Sequence, residues 1–300
     1  MIKKRLFILS IFFVPFAIRS QIAMNAQDIA YFNKYQDTLC KLEKLLFYSK
    51  DDSIKIKSNK IFIEIFEEVL LNDLSFQFPF DSLKDIARLI SPDNKFKIIN
   101  WDFKRKDGTY HYFGFIQVKN GKNKYELFKL QDHSAVIKNP ETHVGDNTKW
   151  FGMMYYKIIA CGDYYTLLGL DWNDKITSRK FIDILYFKEN GQPMFGKDVF
   201  KISQKNPKRI MFEYSTEIVM SLKYYDDKGK KLIVFDHLAP KDPFMEGQYQ
   251  FYGPDFSYDA FKFNKGKWVY EIDFDAKNLK NKNDLIKHKE YKDKDLHLPK

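Results

Sequence analysis

"SPDNKFKIINWDFKRKDGTYHYFGF", residues 91–115, decides how this chain is read. Ser91–Pro92 closes whatever precedes it, because proline lacks an N–H and disfavours helix in the residue before it. From Phe96 the pattern becomes strand-like through "FKIINWDF", and a second such run, "YHYFGFIQV", begins just after Asp107–Gly108. Asp-Gly between two strand runs is a strong hairpin signal, since both residues accept the positive φ of a tight turn. The same grammar then recurs down the chain. "KYELFKL" follows Asn120–Gly121, "FIDILYFKENGQPMFGKDVF" turns at Asn190–Gly191, and two later segments turn near Gly229 and Gly266. Five glycine turns between aromatic and β-branched runs predict about ten antiparallel strands over residues 93–275.

Upstream, the period is helical. Phe32, Tyr35, Leu39, Leu42 and Leu46 form one apolar stripe, and Ile61, Phe62, Ile65, Phe66, Val69 and Leu70 a second. A third, shorter helix is expected from Asp81 as N-cap through Leu83, Ile86 and Ile90 to the stop at Ser91–Pro92. The chain therefore reads as mainly β, α+β overall. A helical N-terminal segment, residues 21–92, precedes a large antiparallel multi-hairpin domain, sandwich-like, over 93–275. The alternative is a small β-propeller-like domain. Gly191, Gly229 and Gly266 fall 38 and 37 residues apart, close to one propeller blade of ~40–45 residues. "SPDNKFKI" also resembles the turns that start blades in periplasmic TolB-like propellers, although Asn94 stands where that pattern has glycine and the phrase occurs once.

The two ends of the chain speak to destination. Lys3, Lys4 and Arg5 precede the 13-residue apolar run "LFILSIFFVPFAI". That run is too short to cross a bilayer of ~30 Å as a helix and suits the apolar region of a signal peptide. Residues 1–20 are read as a signal peptide cleaved near Ser20, giving a periplasmic or secreted protein. Charges interrupt every later apolar run, so no further transmembrane segment is expected. Of the 50 basic residues, four lie in 1–20 and eight in 276–300; four of the 40 acidic residues lie in 276–300, leaving 38 basic and 36 acidic between 21 and 275. The ends thus carry +8 of the net charge of +10. That argues against a nucleic-acid partner, which would require a basic face on the folded body. Residues 276–300 read as a polar, lysine-rich tail. Cys40 and Cys161 survive export, and a bridge between them is one reading; a free thiol at Cys161, inside the apolar run "YYKIIACGDYY", is the other.

The succession "SPDNKFKIINWD", "YYTLLGLDWNDKITSRKFIDILYF", "NGQPMFG" and "GQYQFYGPDFSYDAFKFNKGKWVY" resembles a group of exported β-rich proteins of Bacteroidota, over roughly residues 80–275. The resemblance implies export and a β-rich fold, and it brings no assigned activity or catalytic residue.

Chemistry is sparse. The chain has no GxSxG elbow, HExxH, GxxxxGK[ST] or GxGxxG, and no cofactor is expected. Asp132, His133, Glu141, His143 and Asp146 share one loop, but their spacing matches no metal signature and the loop reads as solvated. "DWNDKIT" and "DFDAKN" lack the glycine and distal glutamate of a calcium loop and read as strand-end turns. His237 follows Asp236, and neighbours on an extended chain point to opposite faces, so Asp236 does not orient it. The strongest segment is "EGQYQFYGPDFSYDAF", residues 246–261. Tyr249, Tyr252 and Tyr258 stand beside Asp255 and Asp259 around Gly253–Pro254. Aromatic rings that pack on sugar faces, with carboxylates that accept from sugar hydroxyls, are the parts of a polar ligand site. The same residues have a structural reading, as cross-strand aromatic pairs and a turn stabilised by its acids. Two functions follow: a non-catalytic binding module for a glycan or an envelope protein, or a carbohydrate hydrolase pairing Asp255 with Asp259 at the ~5 Å of a retaining mechanism.

Overall fold

The computed structural model describes residues 24–121, 124–202, 206–227 and 229–276. The expected signal peptide and nearly all of the polar tail lie outside them. Two helices come first, α1 (Ala26–Tyr48) and α2 (Asp52–Leu70). Asn25 and Asp28 form a reciprocal capping box at the start of α1, and Asp51 Oδ1 accepts from Ser53 N at 2.7 Å to start α2. The helices run antiparallel and bury Phe32, Leu39, Leu46, Phe62, Phe66 and Val69 on one shared face.

Among the described residues fifteen strands follow: β1 (Ala87–Ile90), β2 (Phe96–Lys104), β3 (Tyr110–Lys119), β4 (Tyr125–Leu130), β5 (Gly145–Asp146), β6 (Met154–Ala160), β7 (Tyr165–Asp171), β8 (Thr177–Phe187), β9 (Pro193–Phe195), β10 (Phe200–Lys201), β11 (Ile210–Ser215), β12 (Leu222–Asp227), β13 (Lys230–Pro240), β14 (Tyr252–Asn264) and β15 (Lys267–Glu271). They make three sheets, ordered β1-β2-β3-β4, then β5-β9-β8-β7-β6 with β11 also on β8, then β10-β15-β14-β13-β12. Pairing between these strands is antiparallel except for the short β10–β15 contact.

Alternation of side chains stacks these sheets. Ile99, Trp101, Phe103 and Phe115 of the first sheet pack under the helices. Phe96, Ile98, Tyr112 and Ile116, on its other face, meet Leu167, Phe181 and Leu185 of the second sheet. The second sheet's remaining face offers Leu168, Ile182 and Ile184 to Ile233, Phe235, Phe261 and Trp268 of the third. The order is helices, sheet, sheet, sheet. A middle sheet covered on both faces explains why "FIDILYF" in β8 is almost continuously apolar. Its lone acid, Asp183, is fully buried against Arg209: Arg209 Nε donates to Asp183 Oδ1 at 2.9 Å, and Tyr155 Oη to Oδ2 at 3.0 Å.

The expected sandwich-like β architecture is present, and all five glycine turns join antiparallel neighbours. Two expectations are corrected. No closed ring of sheets exists among the described residues, so the propeller alternative falls. The equal spacing of Gly191, Gly229 and Gly266 marks turns of two different sheets, Gly191 in the second and the other two in the third. The third helix is also absent, and residues 87–90 form edge strand β1, paired from Ala87↔Asn100 to Ile90↔Lys97. Leu83 and Ile86 do bury, but β2 needs a partner along that edge, and unpaired backbone outweighs a four-residue periodicity. The "SPDNK" turn joins β1 to β2, with Asn94 at φ 57° and Ser91 Oγ accepting from Lys95 N and Phe96 N. Cys40 and Cys161 are both free, packed in different cores.

Candidate functional site

The third sheet's longest strands, β13 and β14, run past its core as a two-stranded arm. Their register is regular to Asp236↔Tyr258 and resumes at Leu238↔Pro254. One residue, His237, therefore faces three, Asp255, Phe256 and Ser257, which form a bulge. Asp255 Oδ1 closes the bulge by accepting from Ser257 N at 2.9 Å and from its Oγ at 2.7 Å. These bonds hold the Asp255 carboxyl below the usual carboxylate range. Phe256 adopts φ 72°, a left-handed conformation that is rare and strained for a bulky residue, and its ring is 95% exposed.

Behind the bulge lies an anchor. His237 Nδ1 is 2.8 Å from Asp259 Oδ2, which also accepts from Tyr270 Oη at 2.6 Å. Asp259 Oδ1 accepts from Asp273 N at 3.1 Å. The bond to Asp259 raises the His237 pKa above the ordinary histidine value. Residues 235, 237 and 259 share a face, since Phe235 pairs with Asp259, so His237 reaches its partner diagonally across strands. Asp236 faces the other way and accepts from Ser221 N.

The connection between β13 and β14 adds two 3-10 turns, Pro243–Met245 and Tyr249–Phe251. Asp242 Oδ1 caps the first by accepting from Phe244 N, and Tyr252 Oη accepts from Gly247 N at 3.0 Å. Tyr249 and Tyr252 hold their rings 5.1 Å apart. Phe244 is almost bare, 93% exposed. Between this arm and the segment after β11 opens a cleft of about 800 Å³, where Glu217 and Thr216 face Lys241, Gln250, Tyr252 and Asp255. A second cleft of about 630 Å³ lies on the other side of the bulge, between Phe256, Tyr258, Lys223 and Asp273.

The five residues singled out in the sequence are thus divided. Tyr252 and Asp255 meet in the first cleft, with Tyr249 against Tyr252. Tyr258 lines the second. Asp259 lines neither cleft; it is 2% exposed and its oxygens are taken by His237, Tyr270 and Asp273. Asp255 and Asp259 therefore do different work, one on the surface and one beneath it. Sequence reading missed Glu217, Lys241, Gln250 and the outward phenylalanines. Asp-x-Ser directly after Gly-Pro was the available signal, since an acid that accepts from the residue two ahead builds a local turn.

The other candidates are locally engaged. Asp132 Oδ1 accepts from Ser134 N and Gly152 N, Asp146 Oδ1 from Thr148 N, and His143 Nε2 lies 2.9 Å from Lys149 O. In "DWNDKIT", Asp174 closes a turn by accepting from Ile176 N and Thr177 N. Among the described residues no three His, Cys, Asp or Glu side chains converge to hold a metal ion. No helix there is long and apolar enough to cross a membrane. Comparison with family models, curated proteins and solved structures returns no match.

Proposed function

We propose that this chain is an exported, non-catalytic binding module whose ligand is a glycan, seated in the cleft between the arm and the segment after β11. Export rests on the basic start and short apolar run of residues 1–18. One observation carries the ligand class: the aromatic residues Phe251 and Tyr252 border the same cleft as the polar residues Glu217, Lys241, Gln250 and Asp255. Ring faces take the apolar side of a pyranose, and charged and amide groups take its hydroxyls. A non-catalytic role is supported by Asp259, which is 2% exposed with its oxygens engaged by His237, Tyr270 and Asp273, and so is not offered beside Asp255 as the second carboxylate a retaining hydrolase needs.

The test is a thermal-shift and calorimetric screen of residues 21–300 against envelope, plant and host polysaccharide fragments. A ligand that binds only the native state at 100 times its Kd adds ~2.7 kcal/mol, which such a screen detects. Tyr252→Ala and Asp255→Asn are each expected to weaken binding at least tenfold without changing the fold, and no fragment is expected to be cleaved. Unchanged affinity in both variants would remove this cleft from the reading; turnover would make the protein an enzyme.

A second reading has its own observation. Phe244 and Phe256 stand 93% and 95% exposed, bare apolar surface of the kind that marks protein contact. An envelope protein docking there would lose affinity in Phe244→Ser and Phe256→Ser, which leave the cleft residues in place.

A further inference from the structure

The first layer holds a cavity separate from the arm. The apolar face of the first sheet continues past Trp101, whose Nε1 donates to Asn59 Oδ1 at 2.8 Å, to Phe103 and Phe113. These two rings stack 5.6 Å apart with their planes 11° from parallel. Over this extension the apolar side chains of α2 are Ile56 and Ile63, with Asn59, Lys60 and Glu64 beside them, around a groove of about 530 Å³ between helix and sheet. Small-molecule sites typically enclose ~300–1,000 Å³.

Among the described residues four basic side chains line the groove, Lys60 of α2, Lys129 of β4, and Arg105 and His111. Arg105, just after β2, and His111, in β3, line both the groove and an adjoining cleft of about 770 Å³ at the sheet's edge. The His111 ring lies 5.9 Å from that of Phe103. Arg105 Nε is buried and has no hydrogen-bond partner among the described residues; the carboxylate beside it, Asp52 Oδ2, is 3.9 Å away. Asp52 itself is held by the turn after β2, with both of its oxygens accepting from Lys106 N at 3.1 and 3.2 Å. A guanidinium nitrogen withdrawn from water and left unpaired is unfavourable, and an incoming anion relieves it. At the rim, Lys129 is engaged by Glu67 at 3.2 Å, and Lys60 of α2 is a further lining cation; Arg105 is the one whose buried nitrogen lacks a hydrogen bond among the described residues.

We propose that this groove binds an amphipathic carboxylate, with the carboxyl group on Arg105 and the apolar body over Ile56, Ile63, Phe103 and Phe113. A guanidinium presents coplanar donors that match the two oxygens of a carboxylate. The buried, unbonded Nε of Arg105 suits a carboxylate oxygen, and the stacked rings offer a floor for an aryl or alkyl group. Glu64, also on the lining, disfavours more highly charged anions.

The full chain is titrated calorimetrically with 3-phenylpropionate and octanoate, and in parallel with 3-phenylpropanol and octanol. The carboxylates are expected to bind at least tenfold more tightly than the matching alcohols. Arg105→Gln should abolish that preference while leaving alcohol binding as it was. Ile56→Asp, at a position 49% exposed where the fold tolerates a polar side chain, should weaken both carboxylates at least tenfold. It serves as the deciding variant if Arg105→Gln does not fold. Equal binding of acid and alcohol, a preference that survives Arg105→Gln, or no binding of any of the four at millimolar concentration would overturn the proposal.

Discussion

Strand β8 places Asp183 at the centre of a sheet covered on both faces, whereas β14 places Asp255 on a bulge at the far end of a sheet. Both acids sit in aromatic β-sequence, "FIDILYF" and "YGPDFSY". Asp183 is fully buried, and an arginine and a tyrosine satisfy its oxygens. Asp255 is exposed, and among the described residues its side chain accepts hydrogen bonds from Ser257, two residues on. The first fixes tertiary register and the second fixes one turn. A buried charge demands distant partners because desolvation is severe, while an exposed one is free to be spared for a ligand. The difference between these regions is therefore a difference in what each loses on mutation.

The largest effect is expected in the middle sheet. Asp183→Ala leaves the Arg209 guanidinium buried without a counter-charge, and stability in urea denaturation should fall by about 3–5 kcal/mol. A loss below about 1 kcal/mol would mean that water reaches Arg209, and the contrast between the two regions would collapse. Asp255→Ala, in the same assay, is expected to change stability by less than about 1 kcal/mol.

Asp259 sharpens the comparison because it belongs to the arm yet behaves like the core. Asp259→Asn keeps the shape but weakens three bonds, and a loss of about 1–3 kcal/mol is expected. Its pH dependence identifies the partner. Asp259 raises the pKa of His237 in the folded state, so the stabilisation is fully present below the unfolded histidine value of ~6.5. It is lost as pH rises through the higher folded value. The stability gap between wild type and Asp259→Asn should narrow from pH 5 to pH 8. Burial pushes Asp102 up to about 7, which lowers stability as pH rises from ~4 to 7. That contribution is common to both proteins and cancels in the gap. A gap independent of pH would show that Asp259 does not set the protonation of His237.

Much of this fold was legible for a simple reason: turn chemistry is local. Asp107–Gly108, Asn120–Gly121 and Asn190–Gly191 announced their hairpins because the glycines must take positive φ, and in the structure they do, at 97°, 83° and 82°. The hairpin between β6 and β7 turns at Gly162, φ 88°, and "IIACGDYY" concealed it inside an apolar run that is buried on both sides. Strand β1 was misread because its pairing depends on β2, whose partners lie 7 to 13 residues on across the turn, and no local period encodes that need. At the site, the aromatic and acidic composition of 246–261 was visible. The split between Asp255 and Asp259 was not, because it depends on which strand supplies an extra pair of residues and on His237 from the neighbouring strand. Asp183 did carry a signal: a single charge in a run of core residues requires a buried partner. The sequence did not name Arg209, since only the path of β11 beside β8 brings that segment near.

The smallest expected effect asks whether the bulge exists for the fold or for a partner. Phe256 holds a left-handed φ of 72° while its ring is 95% exposed, so it incurs backbone strain and gains almost no packing. A residue retained for the fold alone would be better as glycine, which occupies that conformation without a Cβ clash. Phe256→Gly is therefore expected to raise stability by about 0.5–1 kcal/mol, the strain relieved exceeding the added entropy of the unfolded chain. The same substitution removes the most exposed ring of the arm, so a partner held there should bind at least tenfold more weakly. Stabilisation with loss of binding would mark Phe256 as a residue kept for contact at the expense of stability, a trade found where surfaces serve function. Destabilisation by more than about 1 kcal/mol would show that the ring supports the bulge from outside, and the arm would then resemble the middle sheet more than the comparison allows.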